Sequence, residues 1–339
     1  MRFILNSLLI LLFSAQVAFG QTVGVSSFAI APNDNTPGFS VRLWYPTDGG
    51  VAQRFGASRI RPGYLAVQDA SPALTEQAPL VVLNHGSGGS AESMAWIAVG
   101  LARRGALVVA ADHPASSGGN PERQSILQVW TQPQDVSHLL DQLLTSVWRE
   151  RIGVEKIAVV GFSLGGATAM SLAGARLQFE RFPAFCGKNS DGACSAFRQH
   201  FAGLNRTFYD RAGADLVDSR IGAAVAIAPG FSESFTAESL QAMATPLLLV
   251  AGESDQQLPP QTHVYPIRPY LPRHSRYSEI SGAQHFSFLP LCGEGAIEVL
   301  AETNEEFVCL EVGSKSREDI HAETLQNITD FLVVNGILE

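Results

Sequence analysis

The chain has 339 residues, 46% of them hydrophobic and 16% charged, which is enough apolar content to fill one large α/β core. Its formal charge of −9 makes nucleic acid and anionic membrane surfaces poor partners. No segment beyond the N-terminus is apolar for long enough to read as a membrane span.

The N-terminus carries Arg2, a short apolar run over 8–13 and the small-residue pattern Ala18-Phe19-Gly20. That sequence describes a secretory signal peptide over residues 1–20, cleaved after Gly20, so the chain is expected to be periplasmic or extracellular. Residues 21–339 are then expected to form one domain. Export into an oxidising compartment gives the four cysteines meaning. Cys186 lies near Cys194 and Cys292 near Cys309, which favours two local disulfides, although four cysteines allow three pairings. A zinc site is the weaker alternative, because no C-x-x-C pair or histidine cluster accompanies them.

Residues 23–30 and 39–46 read as strands separated by the turn-rich Pro32-Asn33-Asp34-Asn35. Ser40-Val41-Arg42-Leu43-Trp44 alternates as a half-buried antiparallel strand does. Residues 48–78 mix glycine, proline and charge, and yield no element. Residues 79–84 are a continuous apolar run, as in a strand covered on both faces, and they end in His85-Gly86-Ser87-Gly88-Gly89. Residues 90–104 predict a helix behind an N-cap serine. Residues 106–111 predict the next buried strand, leading to Asp112-His113-Pro114. A helix is expected over 132–151, with Val136, Leu139, Leu140, Leu143, Leu144 and Val147 on its inner side.

Residues 157–160 form a β-branched strand that runs into Gly161-Phe162-Ser163-Leu164-Gly165-Gly166, followed by small residues with good helix propensity. G-x-S-x-G between a strand and a helix is the setting of a nucleophile elbow. The turn is tight enough to strain the serine backbone, and side chains at the flanking glycines would collide. The alternative is an ordinary glycine-rich turn with an incidental serine. Residues 177–216 then break the strand–helix rhythm and hold Cys186, Cys194 and six phenylalanines: Phe179, Phe182, Phe185, Phe197, Phe201 and Phe208. They read as an insertion that caps the site and lines an acyl pocket, or as rings that fill only the insertion's own core. Strands over 221–227, 246–251 and 276–280 and helices over 237–243 and 317–334 complete an alternation that implies a mostly parallel sheet with helices on both faces.

A serine at such an elbow needs a base and a group to orient it. Of the eight histidines, His285 lies in a Gly/Ala/Gln loop just after the last strand, and His113 competes because it too ends a strand. His138 and His321 fall on predicted helices, and His85 is expected to hydrogen-bond its own loop. The turn after residues 246–251 offers Asp255 and, second, Glu253. Ser163, Asp255 and His285 therefore form the expected catalytic set, in the chain order of serine hydrolases built on α/β sheets. The Leu164 N–H and a donor from the first glycine cluster, at Ser87, are expected to hold the oxyanion. Gly86 to Gly89 lack a following Gly-Lys-Ser/Thr, so no phosphate or nucleotide site is expected. No cofactor or metal is required.

Together, His85-Gly86-Ser87-Gly88-Gly89, Asp112-His113-Pro114, Gly161 to Gly166, Gly252-Glu253-Ser254-Asp255 and Gln284-His285 resemble the α/β-hydrolases. More narrowly, and with Val41-Arg42-Leu43-Trp44-Tyr45-Pro46, they resemble the bacterial "predicted dienelactone hydrolase" group related to platelet-activating-factor acetylhydrolases. The resemblance spans about residues 23–335 and implies an α/β-hydrolase fold and an esterase or lipase-like activity on a small-molecule or lipid ester. True dienelactone hydrolases carry a cysteine where this chain has Ser163, which argues against that specific activity. Another hydrolase on the same fold (polyester hydrolase, thioesterase or peptidase) and a catalytically silent binding protein are the rival classes. The oligomeric state is not legible.

Overall fold

Apolar runs of strand length bury both faces, and their alternating side chains build two cores, one on each side of a single sheet. The computed structural model describes residues 22–74, 76–118 and 123–339, so the expected signal peptide lies outside the described residues. Ten strands follow in chain order: β1 (Thr22–Ile30), β2 (Phe39–Thr47), β3 (Gln53–Phe55), β4 (Tyr64–Gln68), β5 (Ala78–Asn84), β6 (Leu107–Ala111), β7 (Ile152–Phe162), β8 (Ala223–Ile227), β9 (Leu247–Gly252) and β10 (Arg276–Ile280). Their order in the sheet is β10-β9-β8-β7-β5-β6-β2-β1-β4-β3. The six strands from β10 to β6 are parallel, and the hairpin of β1 and β2 joins antiparallel to β6. This is the mostly parallel α/β architecture expected from the strand–helix alternation.

Leu80 and Val82 of β5 pack on one face with α2 (Thr131–Leu143) and α3 (Leu164–Leu172). Val81 and Leu83 pack on the other, against α1 (Ala95–Ala102) and the C-terminal helix (Arg317–Val334). The parallel strands all point their C-terminal ends to one edge, where an α/β sheet offers its crevice.

Three sequence expectations need correction. The helix expected over 132–151 stops at Leu143. Beyond it, the Thr145 hydroxyl donates to the Asp141 and Gln142 carbonyls and the Ser146 hydroxyl to that of Leu143, and such back-bonding competes with continuing the helix. Val147, expected inside, is exposed. The helix expected over 90–104 is a 3-10 turn, Ala91–Met94, followed by α1, and the Asp112 carboxylate accepts the Ala91 N–H at 2.7 Å. The unreadable stretch 48–78 contains β3 and β4, short strands at the sheet's far end.

The insertion folds as α4 (Arg181–Cys186), α5 (Gly192–Phe197) and α6 (Arg206–Ala212). The rings of Phe179 and Phe182 are fully buried and meet Phe197, Phe201, Phe208 and Phe231 at centroid distances of 4.8–6.3 Å. Most of the phenylalanine set is therefore packing. Both disulfides have the expected local pairing, Cys186–Cys194 and Cys292–Cys309.

Candidate active site

The elbow is built by exclusion of side chains. A Cβ at Gly161 would stand 1.8 Å from the Gly165 carbonyl oxygen, and one at Gly165 would stand 2.0 Å from that of Asn84. No L side chain fits at either place. Ser163 sits between them with φ +55° and ψ −116°, a strained conformation for a non-glycine residue. Its backbone is fixed all the same. The Ser163 N–H donates to Ile227 O, and its carbonyl accepts from Gly166, Ala167 and Gly230. The side chain therefore stands at the N-terminus of α3, where the helix field favours negative charge.

His285 Nε2 lies 3.1 Å from Ser163 Oγ, and His285 Nδ1 donates to Asp255 Oδ2 at 2.8 Å. Asp255 is buried at the end of β9, and its other oxygen accepts the Gln257 and Leu258 N–H groups, each at 2.8 Å. The carboxylate cannot swing away without giving up both bonds. It fixes the tautomer that turns the Nε2 lone pair toward the serine. Ser163, Asp255 and His285 are thus brought together from the ends of β7, β9 and β10.

The competitors are occupied elsewhere. Glu253 is spent on the Ser281 hydroxyl and the Gly282 N–H at the surface. His113 is fully buried between Asp135 (3.0 Å) and Asn84 (3.1 Å). His85 donates from Nδ1 to Gly86 O and accepts the His113 N–H at Nε2. Burial, aided by the nearby His113 charge, pushes the His85 pKa down to about 3, so it stays a neutral loop brace. His138 bonds Ala31 O, while His321 stacks on Trp96 and bonds Ser287 O and Leu289 O.

The glycine cluster lies beside the serine: a Cβ at Gly86 would come within 3.0 Å of Ser163 Cβ. Gly88 and Gly89 donate their N–H groups to Ser116 O and Gly86 O. Among the described residues, neither the Ser87 N–H nor the Leu164 N–H has a backbone acceptor. Buried Gln132, which the sequence did not single out, ties the cluster down. Its amide donates to His85 O and Ser116 Oγ, and its Oε1 accepts from Thr168 on α3.

A cavity of about 270 Å³ opens at Ser163 and His285, bounded by Gly86 to Gly89, Phe286 and Leu289, and by Gly192, Ala193, Ala196 and Phe197 of α5. The insertion does line the cavity, through small residues and one of its six phenylalanines. A Cβ at Gly192 would overlap the Gln257 side chain at 1.6 Å, and the Ala193 N–H donates to Gln257 O, so α5 sits directly on the Asp255 loop. Asp191 caps α5 by accepting the Cys194 N–H, and it also accepts from His263 Nε2 at 3.0 Å. His263 Nδ1 donates to Glu233 at 3.0 Å. The histidine and both carboxylates are buried. His263 and Glu233 belong to the body, so this charged trio joins insertion to body beside the cavity. Cys186–Cys194 closes a loop of separation eight within it. On chain-entropy grounds that closure contributes about 2.5 kcal/mol, less any strain. Replacing both cysteines by serine is expected to shift the preference between long- and short-acyl esters while the sheet stays folded. Equal selectivity in an ester-length panel would show that the loop does not shape the cavity.

The comparisons with known proteins agree with this architecture. The family described as alpha/beta hydrolase fold matches residues 79–178, the span from β5 through the elbow and α3. The chain has the α/β-hydrolase fold. The solved structure of a ferulic acid esterase from Streptomyces cinnamoneus superposes with a TM-score of 0.62 at 21% identity, over 92% of this chain and 89% of that one. No curated protein sequence matches the chain.

Proposed function

We propose that the protein is a serine carboxylesterase that cleaves esters through an acyl-enzyme, with Ser163 as nucleophile, His285 as base and Asp255 as its orienting acid. The observation that carries this is the continuous hydrogen-bonded line from Asp255 through His285 to a strained Ser163 at the floor of a cavity. Ser163 Oγ attacks the ester carbonyl carbon while His285 Nε2 takes its proton. The tetrahedral oxyanion accepts from the Leu164 and Ser87 N–H groups. On collapse the C–O bond breaks and His285 returns the proton to the leaving alcohol. Water then repeats the sequence on the acyl-serine and releases the acid. Each oxyanion donor is worth about 3 kcal/mol in such a step. The likeness to a ferulic acid esterase and the motifs shared with acetylhydrolase-like enzymes support an ester over an amide. Residues 1–20 and the two disulfides support export. Among the described residues no helix is long and apolar enough to cross a membrane.

A fluorophosphonate probe should label the protein at Ser163 and nowhere else. His285→Ala should abolish labelling. His113→Ala should cost stability by emptying a buried hydrogen-bonded site, while the folded fraction keeps labelling. Labelling that survives His285→Ala but not His113→Ala would move the base to His113, and no labelling at all would favour a binding protein.

A further inference from the structure

Among the described residues that line the cavity none is acidic, and apart from the His285 imidazole the one ionisable side chain is that of Arg61. Arg61 is half-buried. It belongs to the stretch between β3 and β4 that carries no readable periodicity. Its backbone is held in place: Arg61 O accepts the Ser58 N–H, Ile60 O accepts the Gly293 N–H, and Pro62 O accepts from Arg54 at 2.7 Å. Gly293 adjoins Cys292, whose disulfide to Cys309 closes the neighbouring segment. The arginine is thus mounted on a braced wall.

Its guanidinium, in contrast, makes no hydrogen bond and no ion pair with the described residues. The acid that feels its charge is Glu92, whose Oε1 is held by Arg42 at 2.6 Å and by the Tyr64 hydroxyl; its buried Oε2 has no hydrogen-bond partner among the described residues, Arg61 included. Burial pulls the Arg61 pKa below the ordinary arginine value and Glu92 opposes this; an arginine remains cationic regardless. Five N–H donors in a planar fork, partly withdrawn from water and without an acceptor among the described residues, match a carboxylate. The chain's negative formal charge works against anions at long range, so capture of one has to be local.

We propose that Arg61 is a specificity residue that receives a free carboxylate on the substrate, which makes the preferred substrates esters bearing a second, ionised carboxyl group. This rests on Ser163 being the nucleophile of an esterase, and it adds what the ester must carry. The carboxylate can sit on the acyl side or on the alcohol side, and paired substrates distinguish the two. Mono-4-nitrophenyl glutarate against 4-nitrophenyl pentanoate probes the acyl side. For the alcohol side, 4-carboxyphenyl butyrate is set against 4-carbamoylphenyl butyrate.

In one of these pairs the ratio of kcat/KM, anionic over neutral, should fall about tenfold or more in Arg61→Gln, mainly through KM, and recover in part in Arg61→Lys. An arginine that only supports the loop would lower both members of a pair alike and leave the ratio unmoved. Unchanged ratios in both pairs, with Arg61→Gln folded by circular dichroism, overturn the proposal. A measurement on the unaltered protein guards against a variant that fails to fold. Glutarate should inhibit turnover of the pentanoate ester about tenfold more strongly than glutaramide, and equal inhibition overturns the proposal as well. If the unaltered protein labels with a neutral fluorophosphonate but the ratios stay put, Arg61 alone is at fault. If it neither labels nor turns over any of the four esters, the esterase reading falls and takes this one with it.

Discussion

Ser163→Ala is expected to lower ester hydrolysis by about 10⁴-fold or more while leaving the fold intact, because the nucleophile and the pathway through the acyl-enzyme go together. The fold should survive because the Ser163 backbone, not its hydroxyl, makes the bonds to Ile227, Gly166, Ala167 and Gly230. Ser163→Gly sharpens the test. A residue held at φ +55° carries strain that glycine does not, so this variant should be inactive and more stable than the parent by about 1 kcal/mol. Kinetics on a chromogenic ester and urea unfolding of the three proteins check both halves. An alanine variant with more than a small fraction of parental turnover would remove Ser163 from the chemistry. A glycine variant no more stable than the parent would mean that the turn is relaxed.

The second large effect is expected at His263. Removing it by His263→Ala leaves the Asp191 and Glu233 carboxylates buried beside each other with no cation between them. Breaking such a buried set typically costs about 3–5 kcal/mol. The pH dependence has a definite sign. Burial pulls the His263 pKa down, but the bonds to Asp191 and Glu233 outweigh this and raise it to about 9 from an ordinary 6.5. A raised pKa means that the stabilisation is fully present below about 6.5 and is lost as pH rises through about 9. For Asp191, burial raises the pKa and the bonds from His263 and Cys194 lower it further, so the net direction is down. Its share is present above the ordinary value of 3.8 and is lost as pH falls below it. The insertion should therefore be held most firmly from roughly pH 4 to 6.5, with the hold weakening steadily from there to about pH 9. Urea unfolding from pH 5 to 10 should show the gap between parent and variant narrowing on the alkaline side. A gap under about 1 kcal/mol at pH 7, or one that widens toward pH 10, would contradict this account.

Ser163 and Asp255 are legible because they follow apolar runs of strand length, and His285 because it follows the shorter, more polar β10; a parallel sheet delivers all such ends to one edge. The proximity of His285, rather than His113, to Ser163 has a local reason: a Gly/Ala/Gln loop after the last strand faces the serine across the sheet edge. His113 also ends a strand, yet it turns inward to Asp135, a partner 22 positions away that no spacing rule announces. Arg61 is not legible because β3 and β4 are too short to set up alternation, and its proposed role turns on having no acceptor among the described residues. His263 is hidden in the sequence for the opposite reason. Its partners Asp191 and Glu233 sit 72 and 30 residues off, joined only once the insertion docks. Residues 177–216 break the strand–helix rhythm, but no spacing rule marks Gly192, Ala193 and Ala196, the small residues that face the cavity.

The strand order has a consequence in time. Ser163 follows β7, whereas its acid and base follow β9 and β10, which close the sheet on the side reached last by the chain. Contacts of such long sequence separation form late and slowly, because loop closure has to precede them. A chain synthesised or threaded only as far as β8 carries the serine and its helix but has neither Asp255 nor His285. With the proposed triad, Ser163 would therefore be inert through most of the chain's biogenesis and become reactive only when the final strand docks.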